Sequence, residues 1–376
     1  MIGPFHLSAR WPQRLLAQDW RIVALVLAIG LFGCVVLYSA AGGRLQPWAL
    51  PHALRLLAFT PLMVMMALVP SRTWAALAAP GYALVLMALL AVEAVGAFGG
   101  GAQRWLDLGP VRLQPSELMK LVLVLFLARL FHFLPLGYLD RAVGLWRPVA
   151  ATLVPVALVL LQPDLGTALT LLAGGAGVMF LAGVPPVVFL VPTALGLVSL
   201  PLVYRLLHDY QQRRIDIFLD PSLDPLGAGY HITQARIAIG SGGAFGKGFL
   251  EGSQSHLLFL PEPHTDFVFA TMAEEWGLAG GLLLMAAYAL LLAWGWGVAR
   301  RAADSFARLA AGGLVVTIFL YVAINLMMVM GLAPVVGLPL PLMSYGGSAM
   351  LTVMLAVGIL LGIDRESRWP RGGLGS

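Results

Sequence analysis

The sequence predicts an all-α polytopic membrane protein with about ten transmembrane helices and one large extracytoplasmic loop between the seventh and the eighth. Three observations carry that class. Hydrophobic residues fill 60% of the 376 positions and charged ones only 11%, against about 25% charged in an ordinary soluble domain. Mean hydropathy is +0.88. Apolar runs of about 20 residues, the length that crosses a bilayer, recur along the whole chain.

In order, the spans fall at 22–41, 50–69, 74–92, 114–134, 148–161, 165–183, 186–205, 266–298, 309–331 and 344–363. The first follows a basic N-terminus, as a signal peptide would. It is longer than an h-region of about 7–15 residues, and similar runs follow, so it reads as a retained helix. Cys34 lies inside it as a small packing residue, and a single cysteine allows neither an intrachain disulfide nor a Cys-based metal cluster. The fifth span is short, and Pro163 in "QPDLG" breaks it from the sixth. The tenth opens on "GLPLPLMSYGGSAM", whose prolines and glycines suit a bent entry. All of 1–376 forms one membrane domain, with 206–265 as a loop within it.

Basic residues set the orientation. With the N-terminus inside, the short inner segments carry Arg10, Arg14, Arg21, Arg72, Arg141, Arg147, Arg300, Arg301, Arg308, Arg365, Arg368 and Arg371. The short outer connections carry only Arg44, Arg55, Arg104 and Arg112. Both termini are therefore expected in the cytoplasm. The net charge of +5 reflects basic loops at a membrane rather than a nucleic-acid partner. The 206–265 loop is long enough to be functional. "HDYQQRRIDIFLDPSLDP" reads as an interfacial helix followed by a turn and "YHITQARIAIG" as a helix, while the glycines of "SGGAFGKGFLEGSQS" forbid a long regular element.

Charges in or beside spans are the informative residues, because each costs a few kcal/mol or more unless paired or wet. In "QPSELMK" Glu117 and Lys120 share a helical face and can neutralise each other; they are a structural pair, a charged wall of an outward cavity, or both. Arg55 opens the second span, either snorkelling or offering its fork to a phosphate. Asp164 is placed to cap the next helix. "GSGGAFGKG" is not a phosphate loop: Ser241 replaces the first glycine, and Gly248 stands where Ser or Thr is required. It is a plain glycine loop or a flexible cradle for a lipid headgroup. "SYGGS" around Ser344 is not a nucleophile elbow.

"LPEPHTDFVFATMAEEW", residues 260–276, gathers Glu262, His264, Asp266, Glu274 and Glu275 where the chain re-enters apolar sequence. Thr265 could cap a helix starting at Asp266, whose carboxylate would then suit the helix dipole. The alternation of Glu262, His264 and Asp266 suggests a hard-metal site, but Pro261 and Pro263 forbid a regular strand and one histidine is thin support. The third reading is an acid–base group at the mouth of a membrane cavity, where partial desolvation raises a carboxylate's proton affinity. On a helix from Asp266, Glu274 and Glu275 cannot both share its face.

At these residues the chain resembles the SEDS family of shape, elongation, division and sporulation proteins, and within it the RodA branch. The motifs are "GAQRWLDLGPVRLQPSELMK", "QPDLGTAL", "DPLGAGYHITQARIAIGSGGAFGKG", "SQSHLLFLPEPHTDFVFATMAEEWG" and "GLAPVVGLPLPLMSYGGS", in order along the chain. Pro263 and Trp276 depart from the family's commoner residues. The resemblance implies a peptidoglycan glycosyltransferase of cell elongation. Such an enzyme polymerises lipid II into lipid-linked glycan on the outer face of the inner membrane, among membrane lipids, beside a class B penicillin-binding protein transpeptidase. It implies Asp266 as the essential aspartate, Glu117 and Lys120 as the acidic and basic pair, and Arg55 as an arginine of the second span. Asp266 would take the proton of the acceptor's 4-hydroxyl as that oxygen attacks the donor's C1 with inversion. Lys120, Arg55, Arg213, Arg214, Lys247 or a divalent cation (Mg2+ or Mn2+) would stabilise the departing diphosphate, with His264 beside them. Two other classes stay open. A lipid flippase would show alternating access and repeats, and a non-catalytic scaffold would need no acidic site.

Overall fold

The computed structural model describes residues 11–99, 102–107, 112–134, 142–206, 209–220, 223–224, 227–256 and 262–368. Arg10, Arg141 and Arg371 of the orientation argument lie outside them, as does the side chain of Arg214. In order the elements are α1 (Trp11–Leu16), α2 (Trp20–Ala40), α3 (Ala49–Leu68), α4 (Ser71–Val95), β1 (Ala97–Gly99), β2 (Ala102–Asp107) and β3 (Arg112–Leu113). Then come α5 (Pro115–His132), α6 (Ala142–Leu161), α7 (Leu165–Leu181), α8 (Val187–Leu206), α9 (Asp209–Leu219), α10 (Ala228–Ser241) and α11 (Ser253–His256). The chain closes with α12 (Val268–Arg301), α13 (Ser305–Val329) and α14 (Gly347–Arg368).

The protein is an all-α polytopic membrane protein. Seven of these helices are long and apolar enough to cross a bilayer: α2, α3, α4, α6, α12, α13 and α14. Apolar stretches of α7 and α8 are shorter, and the 18 residues of α5 are apolar except for Ser116, Glu117, Lys120, Arg129 and His132. Those ten correspond to the ten expected spans. α6 starts six residues before the expected 148, because Pro148 is accommodated inside the helix rather than starting it. The break at Pro163 falls where expected, and Asp164 caps α7 by accepting from the Thr167 amide at 3.1 Å.

A small antiparallel sheet in the order β1-β2-β3 was not expected. Its strands are too short for a periodic signal, and its purpose is local. From β2, Arg104 donates to the carbonyl of Gln162 at 3.1 Å and to that of Pro163. It thereby satisfies backbone acceptors that the α6–α7 break leaves without a helical partner.

α13 is the central post, packed against α5, α7 and α12, while α14 lies along α3. With lipid outside, helices associate through close packing rather than water exclusion. Gly313 shows this: a Cβ there would stand 2.5 Å from Val178 and 2.6 Å from Val124. The α8 helix presents Leu190, Leu195 and Val198 outward, an apolar face suited to lipid. At one end of the bundle Arg368 pairs with Asp19 and Asp364, each at 2.7 Å, and Arg301 pairs with Asp364 at 3.1 Å. The acidic stretch of residues 262–276 belongs to the other end.

Candidate active site

Asp266 does not start a helix. Pro263 to Phe267 form a turn, α12 begins at Val268, and its N-cap Phe267 makes no side-chain cap. Thr265 instead donates to Glu262 Oε2 at 2.9 Å. The helix-cap reading of Thr265 and Asp266 is thereby corrected: with Pro263 in the turn and Thr265 engaged by Glu262, the helix starts two residues later than that geometry requires.

The turn is fastened by its main chain. Asn325 on α13 donates from Nδ2 to the Asp266 carbonyl at 3.1 Å and to the Leu338 carbonyl at 2.7 Å. Ser344 donates to the Thr265 carbonyl at 2.6 Å, and the Tyr345 amide donates to the His264 carbonyl at 2.8 Å. The segment after α13 is thus stitched along the turn, and a Cβ at Gly337 would stand 3.7 Å from Asp266 Oδ2. Asp266 itself is half-buried. The bent 337–345 segment expected from its prolines has become one wall of the site.

Beside Asp266 lies an aromatic and cationic group. His264 stacks on Trp48, with centroids 4.2 Å apart and planes at 5°. The Arg55 guanidinium lies 4.4 Å from the centre of the Tyr345 ring and donates to its hydroxyl at 3.1 Å. Burial pushes the His264 imidazole below its usual range, with the Glu262 charge opposing. The ring is therefore mostly neutral near pH 7.

One helical turn from Asn325 on the same α13 face, Tyr321 closes a second cluster. Lys120 Nζ stands 2.5 Å from Glu117 Oε1 and donates to the Tyr321 hydroxyl at 2.7 Å, which donates in turn to Glu117 Oε2. The Lys120 and Glu117 side chains are 1% and 5% exposed. They form the expected pair, and they face each other rather than an open cavity.

The remaining candidates lie elsewhere. Lys247 pairs with Glu274 at 2.6 Å. Glu275 is buried and accepts from Ser39. Arg213 lies exposed, 4.0 Å from Asp224. Among the described residues no three of His, Cys, Asp and Glu gather to hold a metal. Tyr321, Asn325, Trp48 and Tyr345 went unnoticed in the sequence. A lone asparagine in "YVAINLMMVM" is a signal of its own, since polar groups in spans are seldom idle.

A bundle of spanning helices with a carboxylate-bearing turn at one end defines a multi-pass membrane protein. The family model of FtsW, RodA and SpoVE, described as cell cycle proteins, matches residues 19–369, and this chain belongs to that family. It is 44% identical over 356 residues to the peptidoglycan glycosyltransferase MrdB of Escherichia coli, covering 93% of this chain and 94% of that one. A probable peptidoglycan glycosyltransferase FtsW of Trichlorobacter lovleyi is 36% identical, over 94% of this chain and 95% of that one. Among solved structures, a chain of a peptidoglycan synthase complex that coordinates polymerization and crosslinking matches with a TM-score of 0.82 at 36% identity, over 94% of this chain and 99% of that one. The rod shape determining protein RodA of Thermus thermophilus matches with a TM-score of 0.71 at 33% identity, over 94% and 99%.

Proposed function

We infer that this chain is a peptidoglycan glycosyltransferase that polymerises lipid II during cell elongation, with Asp266 as the general base. The observation that supports the role of Asp266 is its placement: a half-buried carboxylate on a turn whose carbonyls are fastened by Asn325, Ser344 and Tyr345, at the end of the bundle opposite the basic one. The Asp266 end of the bundle faces outward, since the opposite end carries Arg301, Arg365 and Arg368 and basic residues favour the cytoplasm. The membrane is the inner one, and both termini lie in the cytoplasm.

The acceptor's sugar 4-hydroxyl gives its proton to Asp266 as the oxygen bonds to C1 of the donor. The bond from C1 to the undecaprenyl diphosphate breaks, configuration inverts, and the diphosphate departs with the bonding pair. Arg55 is the cation best placed to receive that charge, because it leans on Tyr345 rather than on a carboxylate. Lys120 and Lys247 are engaged with Glu117 and Glu274. Among the described residues no set of three ligands is ready for a divalent ion, and no step here is routed through one. The solved complex that this chain resembles couples polymerization to crosslinking, which supports a class B penicillin-binding protein as the partner here.

The test is purified protein given labelled lipid II, with Asp266→Asn alongside. Asparagine keeps the size and the backbone contacts but cannot take a proton. General bases contribute about 10²–10⁴-fold, so polymer should fall to near background while folding persists. Wild-type rates from Asp266→Asn would sink the base. No polymer from the wild type with its partner present would favour a flippase or a scaffold.

A further inference from the structure

The glycine-rich segment after α10 has a use that the reaction above does not assign. α12 is broken at Gly277, whose φ of 64° and ψ of −161° lie outside the helical region. The break divides a short half, residues 268–276, from the long membrane half, and it leaves backbone groups on both sides without helical partners. Residues 243–248 fill the gap. The Lys247 and Gly248 amides donate to the Glu274 and Glu275 carbonyls at 3.0 and 3.2 Å. The Leu278 and Ala279 amides donate to the Gly243 and Ala244 carbonyls, both at 2.9 Å. Only glycine fits this crossing: a Cβ on Gly246 would stand 2.0 Å from the Glu275 carbonyl oxygen, and Gly246 has φ +82°.

With the helical ladder interrupted, the long half of α12 does not fix the angle of the short half. That angle is set at one end by the turn around Asp266 and at the other by the strap's bonds to the Glu274 and Glu275 carbonyls, by Ser39 on Glu275 and by what grips the Glu274 side chain. Glu274 is fully buried and accepts from Lys247 Nζ at 2.6 Å, from Ser253 Oγ at 3.1 Å and from the Gln254 amide at 3.1 Å. Lys247 also binds Ser253 Oγ at 2.8 Å. We propose that Lys247 is a positioning residue for the reaction, setting the angle of residues 268–276 through Glu274 and thereby placing the carboxylate of Asp266. This rests on the reading of Asp266 as the base.

The lever is short and stiff. About nine helical residues at about 1.5 Å each span about 13 Å, so a tilt of about 5° at Gly277 moves the far end by about 1 Å. A misplacement of about 1 Å can cost about 10²-fold in rate. Glu274 keeps the Ser253 and Gln254 donors when Lys247 is removed, so its charge is not left bare and the fold survives.

Lys247→Met and Lys247→Arg, purified in full length, decide it. For Lys247→Met, kcat should fall about 10- to 100-fold, while KM for lipid II stays within about twofold. Amide hydrogen exchange should quicken in 268–276 and stay unchanged in 278–301. Lys247→Arg, which can still reach Glu274, should restore both. A raised KM with kcat kept would overturn the proposal and make Lys247 a diphosphate ligand. Unchanged exchange in 268–276 would overturn it whatever the activity does, without touching the base. A wild-type rate from Asp266→Asn would overturn the base and leave the exchange result standing. Should Lys247→Met fail to fold, Ser253→Ala removes one donor to Glu274 and keeps the ion pair. A smaller quickening in the same segment supports the proposal, and none refutes it.

Discussion

Glu117 and Asp266 are carboxylates served by neighbouring turns of α13, and they differ in burial. Glu117 is held by its oxygens, which Lys120 and Tyr321 occupy inside the bundle. Asp266 is held by its carbonyl, which Asn325 grips, and the residue stays half-buried. A buried charge must be answered by charge and hydrogen bonds or it destabilises the fold. A carboxylate that is to meet a substrate must be within its reach, as a half-buried group at the end of the bundle is. On the reading of Asp266 as the base, the contrast separates a carboxylate that builds from one that reacts.

The contrast breaks first at the Glu117 pair. Glu117→Ala or Lys120→Ala leaves one buried charge without its ion-pair partner, which should destabilise by about 3–5 kcal/mol and appear as a lower thermal midpoint with less folded protein. Glu117→Gln combined with Lys120→Met removes both charges and should recover much of that loss. If the double variant melts no higher than either single one, the pairing account fails. Tyr321→Phe is a gentler probe of the same cluster. It removes the hydroxyl that bridges the two partners and should cost about 1–3 kcal/mol, with the rate per folded molecule nearly unchanged. A rate that fell much further than the stability would move Tyr321 and its cluster to the reacting side of the comparison.

The legible parts of the molecule were those where chemistry shows in one segment. Spans were legible because a bilayer demands a fixed run of apolar residues. Glu117 and Lys120 were legible because charges in a span announce themselves and three residues apart is one helical face. Asp164 was legible as a cap because a proline precedes it and an apolar run follows. Contacts between distant segments were not. Nothing in "GSGGAFGKG" says that it fills a break some thirty residues later, nor does "AEEWG" say that its glycine is that break. Glu274 and Glu275 looked like members of the acidic site, and both anchor the segment instead, because the partners that bury them come from other parts of the chain. Asn325 and Tyr345 became site residues only when α13 and the following segment were folded against the Asp266 turn.

The smallest effect belongs to His264, which sharpens the comparison from the reacting side. Its ring stacks on Trp48, and burial lowers its affinity for protons more than the Glu262 charge raises it. In the unfolded chain a histidine takes its proton at about pH 6.5. As pH falls through that value, the unfolded state binds protons that the folded ring refuses, so stability drops. The drop ends once pH passes below the depressed folded value. The ring is only half-buried, so the change is modest. The thermal midpoint of the wild type should fall more between about pH 7 and about pH 5 than that of His264→Gln. Other titrating groups are common to both proteins and cancel in the difference. Parallel curves would mean that the folded ring protonates as readily as the unfolded one, and that the stack on Trp48 does not hold it neutral beside Asp266.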